Sequence, residues 1–85
     1  PAKAAARGNK LSFNEKRALE ALPDRIAALE EEQAALQARL GDPALYQQAP
    51  QEVPQVKARL EALEGEIEAA LERWEALETR AAAAG

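Results

Sequence analysis

The chain has 85 residues and a net charge of −4, which leaves room for one small domain. It contains no cysteine, histidine or methionine, so a disulfide framework, a thiolate nucleophile, an imidazole base and thiol metal ligands are excluded. No segment has the apolar length of a membrane span and no signal-peptide pattern opens the chain, so a cytoplasmic protein is expected; a start at Pro1 rather than Met suggests part of something longer.

Residues 1–9, PAKAAARGN, lack apolar periodicity and are read as a flexible linker or tail. A domain over residues 10–80 follows. Ser12 and Glu15 have capping-box spacing and should start a short helical arm over 11–22. Pro23 disfavours a helical Leu22 but suits the first turn of a new helix, so a kink or brief irregularity is expected there, with a first long helix over 23–40. Gly41 should close that helix in the left-handed conformation. A tip loop over 41–53 comes next, in which Asp42 and Pro43 start a single turn carrying Leu45 and Tyr46. Pro50 and Pro54 bracket the start of a second long helix over 54–80, and residues 81–85 should fray.

Two runs carry heptads, the first crossing Pro23 in unbroken phase, so the arm and the first long helix should share one apolar face. Leu19, Leu22, Ile26, Leu29, Gln33, Leu36 and Leu40 step by three then four. Val53, Val56, Leu60, Leu63, Ile67, Ala70, Trp74 and Leu77 do the same. The expected fold is therefore all-α: a two-helix antiparallel coiled-coil hairpin with the N-terminal arm packed on it. Charge selects the register. Placing Ile26 opposite Leu63 and Leu29 opposite Leu60 makes neighbours of Arg25–Glu66, Glu32–Arg59, Arg39–Glu52 and Glu30–Lys57, all attractive. Placing Ile26 opposite Leu77 gives mixed pairs and needs a longer overhanging loop, and placing it opposite Ala70 makes every flanking pair repulsive. At a few tenths of a kcal/mol per exposed pair, the difference is about 2–3 kcal/mol.

In this register Trp74 and Leu77 lie beside the arm, where Leu11, Phe13 and Leu19 should cover the indole. Lys10, Lys16, Arg17 and Arg73 then come near one another. Residues 1–17 carry +4 and residues 18–85 carry −8, so a basic arm stands on an acidic rod. These four residues, with Lys3 and Arg7 of the tail as further members, are the candidate nucleic-acid contacts. Charge alone favours a solvated linker over that role.

Nothing in the chain suggests catalysis. Ser12 and Thr79 are the only hydroxyls of their kind and have no base partner. Glu30, Glu31 and Glu32 are consecutive and so point around a helix instead of converging on a metal. Gln33, polar on the seam, reads as a register determinant. Trp74 and Tyr46 read as packing residues rather than base-stacking platforms. No phosphate-binding glycine loop is present, and no cofactor is expected.

The run from Lys10 to Glu20 (KLSFNEKRALE), followed by Leu22-Pro23 and Ile26, resembles the start of the C-terminal domain of Uup-type ABC-F ATPases, whose pattern is K-L-S-Y-K-E-Q-R-E-L-E-x-L-P-x-x-I. Leu40, Asp42, Pro43, Leu45 and Tyr46 resemble that family's tip motif. Glu72-Arg73-Trp74-Glu75, with Leu77 and Glu78, resembles its closing E-R-W-x-x-L-E. The resemblance implies a coiled-coil hairpin hung after two ATP-binding cassettes, where ATP and magnesium belong to the cassettes. It also implies DNA binding, with Lys10, Arg17 and Arg73 as the matching basic positions. Asn14 stands where the pattern has Lys and Phe13 where it has Tyr, while Lys16, at a usual Gln, restores one charge.

The resulting expectation is a non-catalytic, sequence-independent DNA-binding domain of a cytoplasmic ATPase. One rival is a structural coiled coil that couples the cassettes or contacts the ribosome and its RNA. Another is a homodimerisation element, which the proline-bracketed break disfavours, so the chain is expected to be monomeric.

Overall fold

Helix formation begins at Ser12, whose Oγ accepts the Glu15 N–H at 3.1 Å while Glu15 Oε1 accepts the Ser12 N–H at 2.9 Å. This reciprocal cap satisfies two otherwise orphaned donors of the first turn. The computed structural model describes residues 10–84, and every regular element among them is helical. Helix α1 spans Phe13–Leu40, α2 spans Pro43–Gln48, a 3₁₀ turn covers Pro50–Glu52, and α3 spans Val53–Ala84. The linker over 1–9, and with it Lys3 and Arg7, lies outside the described residues.

The arm and the first long helix are one helix, not two. Pro23 sits inside α1 and does not end it. Its ring removes one backbone hydrogen bond, but Leu22, Ile26 and Leu29 bury on the same face around it. The shared face is as the unbroken heptad phase predicts, but the expected irregularity at 22–23 is absent, the packing of that face offsetting the local penalty.

Gly41 also differs from expectation. It is right-handed, with φ −84° and ψ −7°, and its N–H reaches the carbonyls of Gln37 and Ala38 at 3.2 Å each. No left-handed residue is required because Asp42 immediately caps α2, its Oδ1 accepting the Ala44 N–H at 2.9 Å. Tyr46 then donates its hydroxyl to the Leu40 carbonyl at 2.8 Å, satisfying an acceptor at the end of α1. The tip is thus a helical turn and a 3₁₀ turn in succession rather than a loop.

The remaining difference is at the C-terminus. Residues 81–84, expected to fray, continue α3 to Ala84, and Ala81 packs against the core. Alanine has the highest intrinsic helix propensity, so little anchoring is needed.

Helices α1 and α3 pack along their length in a molecule 64 Å long and 16–18 Å across. The core is a single apolar seam of Leu11, Leu22, Ile26, Leu29, Leu63, Ala70 and Leu77, with Leu63 wholly buried. Ion pairs line one edge of this seam. Arg39–Glu52 is 2.7 Å, Glu32–Arg59 is 2.7 Å and Arg25–Glu66 is 3.7 Å, so the pairing ascends α3 as it descends α1. Three of the four pairs expected from the charge pattern are therefore present. The fourth, Glu30–Lys57, does not form an ion pair.

Candidate nucleic-acid interface

The arm end is organised by a residue that the sequence does not single out. Arg80 donates from Nη1 to Glu15 Oε2 at 2.6 Å, and from Nη2 to Glu15 Oε1 at 3.2 Å and the Lys10 carbonyl at 3.3 Å. One guanidinium on α3 thus holds the cap of α1 and the backbone that precedes it. This fork geometry is specific to arginine. The Arg80 hydrogen bond, with that from the Ser12 N–H, holds the Glu15 carboxyl down at about 2. Leu11, carried by the same segment, is buried in the core cluster. The capping box already accounts for Glu15 and so hides Arg80 in the sequence; its seven-residue spacing after Arg59, Glu66 and Arg73 is the signal that points to it.

The same edge explains which charges are neutralised. Arg59 grips Glu32 through Nε and Nη2 at 2.7 and 2.9 Å, and its Nη1 reaches Glu66 at 2.8 Å. This bidentate pairing lowers the Glu32 carboxyl from its ordinary value and raises the Arg59 guanidinium. Arg73 lies between the Arg59–Glu66 network and the Arg80 clamp. Its helical neighbours three and four residues away are Ala69, Ala70, Ala76 and Leu77, none of them acidic.

Among the described residues, Arg25, Arg39, Arg59 and Arg80 are in ion pairs and five other basic residues are not. Four of those five are Lys10, Lys16, Arg17 and Arg73, all exposed and all at the arm end; Lys57 is the fifth. Arg17 lies over the ring of Phe13, 5.8 Å from its centroid. That geometry is a cation–π contact worth about 0.5–1 kcal/mol at an exposed site.

The four residues share one end of the molecule but not one face. Arg73 is on the ion-paired edge and Arg17 on the outer surface of α1. Lys16, 100° from Arg17 by helix geometry, faces towards the opposite edge. Nor is the end free of carboxylates. Residues 10–20 and 72–80 together hold five basic and five acidic side chains, with Glu20 one turn from both Lys16 and Arg17. Glu72, Glu75 and Glu78 occupy other sides of α3 from Arg73, so the charge is separated rather than cancelled.

Phe13 does not cover the indole. It is 72% exposed, because one residue after the cap it projects from the side of α1 opposite the seam. Leu11 and Leu19 do join the apolar cluster against which Trp74 packs. Trp74 remains half-buried and lines a hollow with Pro23, Ile26 and Ala27.

No group of three or more acidic, histidine or cysteine side chains is placed to hold a metal among the described residues. No described helix is long and apolar enough to cross a membrane.

Comparison with known proteins gives matches over most of the chain. Residues 10–79 match the family described as the ABC transporter C-terminal domain. The "ATP-binding protein Uup-like" of Haemophilus influenzae is 43% identical over 72 residues, 84% of this chain and 16% of that protein. "ATP-binding protein Uup" of the same organism is 43% identical over 72 residues, covering 84% of this chain and 11% of its own length. "ATP-binding protein Uup" of Escherichia coli is 40% identical over 70 residues, 82% of this chain and 11% of that protein. The chain thus spans between about a tenth and a sixth of the relatives it matches. No solved structure matches it.

Proposed function

The chain belongs to the ABC transporter C-terminal domain family, and we propose that it is an antiparallel coiled-coil hairpin whose arm end binds duplex DNA without sequence preference, as an accessory to ATP-binding cassettes elsewhere in a cytoplasmic protein. ATP, with its magnesium, would be handled by those cassettes; the relatives' names carry the words "ATP-binding". The observation that carries this reading is the distribution of unpaired cations: among the described residues, four of five stand at the arm end. Elsewhere on the rod, guanidinium groups are occupied by carboxylates and unable to serve phosphates at no cost.

In this mechanism Arg80 does not touch DNA. It fixes the segment carrying Lys10, while Phe13 orients the Arg17 guanidinium. Arg73 supplies a cation from the second helix. These contacts reach phosphates, not base edges, because the arm presents no separate recognition helix. The acidic remainder of the rod repels the duplex and confines the approach to this end.

Three or four phosphate contacts imply a slope of about −3 in log K against log salt. The test is an anisotropy titration on a labelled duplex across a salt series, repeated with Lys10, Lys16, Arg17 and Arg73 all replaced by Gln. The variant should bind more weakly with a flatter slope and keep its helicity. Undiminished binding would refute this surface. A parallel titration on structured RNA separates this reading from a ribosomal role: clearly tighter binding to RNA would favour the latter.

A further inference from the structure

The two edges of the seam are unlike. All three of the expected ion pairs that form lie on one edge, and the opposite edge has none among the described residues. On that second edge a row of α3 side chains, Leu60, Ile67 and Trp74, is left half-buried at three successive heptads. The matching row of Leu63, Ala70 and Leu77 is fully buried. Leu71 adds to the uncovered row and is 38% exposed.

Three shallow hollows join end to end along this edge. The first two share Gln33 and Glu64, and the last two share Leu71. From Lys57 to Trp74 the groove runs roughly 25 Å at the helical rise, enough for a partner helix of about 17 residues. Its rim is acidic: Glu30, Glu61, Glu64 and Glu68 stand along it against Lys57 alone, none of them in an ion pair.

We infer that this edge is a docking groove for a basic amphipathic α-helix of a protein partner. A helix with apolar residues at heptad spacing would cover Leu60, Ile67, Leu71 and Trp74, completing the half-covered row as a third helix does in a bundle. Lysines or arginines flanking that apolar stripe would meet the free carboxylates of the rim. Charge complementarity selects the occupant. A second copy of this chain would bring one acidic rim against another, and DNA would meet the same repulsion. The groove lies on the opposite edge of the rod from Arg73 and leaves that cation clear, while Lys16 faces towards the groove's own edge beyond Pro23.

The test uses the full 85-residue chain, with Trp74 as its intrinsic reporter. The probe is a synthetic helix of about 20 residues, with Leu at heptad spacing and Lys elsewhere. Two controls accompany it: a scrambled peptide of the same composition, and the same heptads with Glu in place of Lys. The probe should shift Trp74 fluorescence and bind about tenfold or more tightly than either control. Leu71→Glu should abolish that preference even though it adds a negative charge that attracts the probe. Replacing Glu30, Glu64 and Glu68 with Gln should weaken binding and flatten its salt dependence. Equal binding by the scrambled peptide would reduce the effect to bulk charge and overturn the inference. So would equal binding by the acidic peptide, or a dimer in sedimentation that Leu71→Glu dissociates.

Discussion

Replacing Leu63 with Ala should be among the most damaging single changes in the chain. Leu63 is wholly buried at the middle of the seam, with Ile26 and Leu29 in the same apolar cluster. Truncation removes three carbon atoms at about 0.8 kcal/mol each and leaves a cavity, a total of about 3 kcal/mol. Across the 75 described residues the entropy of unfolding is about 0.16 kcal/mol/K, so the melting temperature should fall by roughly 20 °C. Two neighbours provide controls within the same helix. A Cβ added at Gly65 meets no atom within 4 Å, and Gly65→Ala should stabilise by about 1 kcal/mol through helix propensity, raising the melting temperature by roughly 6 °C. Leu71→Ala, at an exposed position, should cost far less than Leu63→Ala. Thermal melts followed by far-ultraviolet circular dichroism read all three. A drop for Leu63→Ala no larger than for Leu71→Ala would refute a seam running through Leu63.

Arg80→Gln should release the arm, raising amide exchange at residues 11–16 while leaving exchange at the tip unchanged, and should weaken DNA binding although Arg80 is not a proposed contact. Acid should act through the same clamp. The Glu15 carboxyl is held at about 2 in the folded chain against an ordinary value of 4.5, chiefly by Arg80, so the unfolded state takes up a proton first as pH falls. The stability this contributes is complete above about 4.5 and is lost towards about 2, and Glu32, lowered by Arg59, acts in the same direction. Melting temperature measured over that range should therefore fall with pH, less steeply in Glu15→Gln. Gly41→Ala should be tolerated or stabilising by a few tenths of a kcal/mol, because φ is negative and the nearest atom to an added Cβ is the Ala38 carbonyl at 3.6 Å; a clear loss in a thermal melt would contradict the right-handed conformation there.

What the sequence made legible was whatever depends on spacing. The capping box needs only Ser12 and Glu15 three apart, and Asp42-Pro43 needs only adjacency, so both could be read directly. The cross-helix ion pairs were legible because heptads turn a one-dimensional list of charges into facing rows. What escaped depends on competition between local and distant terms. Pro23 looks like a boundary by itself, and only burial of Leu22 and Ile26 on a common face keeps α1 whole. Gly41 looks left-handed until the Asp42 cap removes the need. Phe13 reads as a cover for the indole because the register sets residues 11–19 beside Trp74, but its position one residue after the cap turns it outward. The basic end was legible as a charge excess, but its division over several faces required the helix directions. Arg80 was hidden because its partner already had a local role.

The register also explains why Arg73 is left without a carboxylate. Arg25, Glu32 and Arg39 are each opposed by an opposite charge on α3, at Glu66, Arg59 and Glu52. One heptad nearer the N-terminus, the same progression sets position 18 against Arg73, and position 18 is Ala18. The Arg80 contact with the Lys10 carbonyl, a further heptad along, shows that the progression continues to the end of the rod. Arg73 is thus unpaired through a single alanine. The Uup-type pattern carries glutamate at this place, so the fold should accept one. Ala18→Glu would extend the row of ion pairs by one layer and withdraw one cation from the arm end. If Arg73 contacts phosphate, the substitution should preserve helicity and thermal stability while reducing the salt slope for duplex DNA by about 0.9, equivalent to one lost contact. Arg73→Gln should do the same, and combining the two should reduce the slope by little more than either alone. Additive losses would mean that the new carboxylate acts by general repulsion; an unchanged slope in all three variants would remove Arg73 from the interface and leave the binding, if present, to α1 alone.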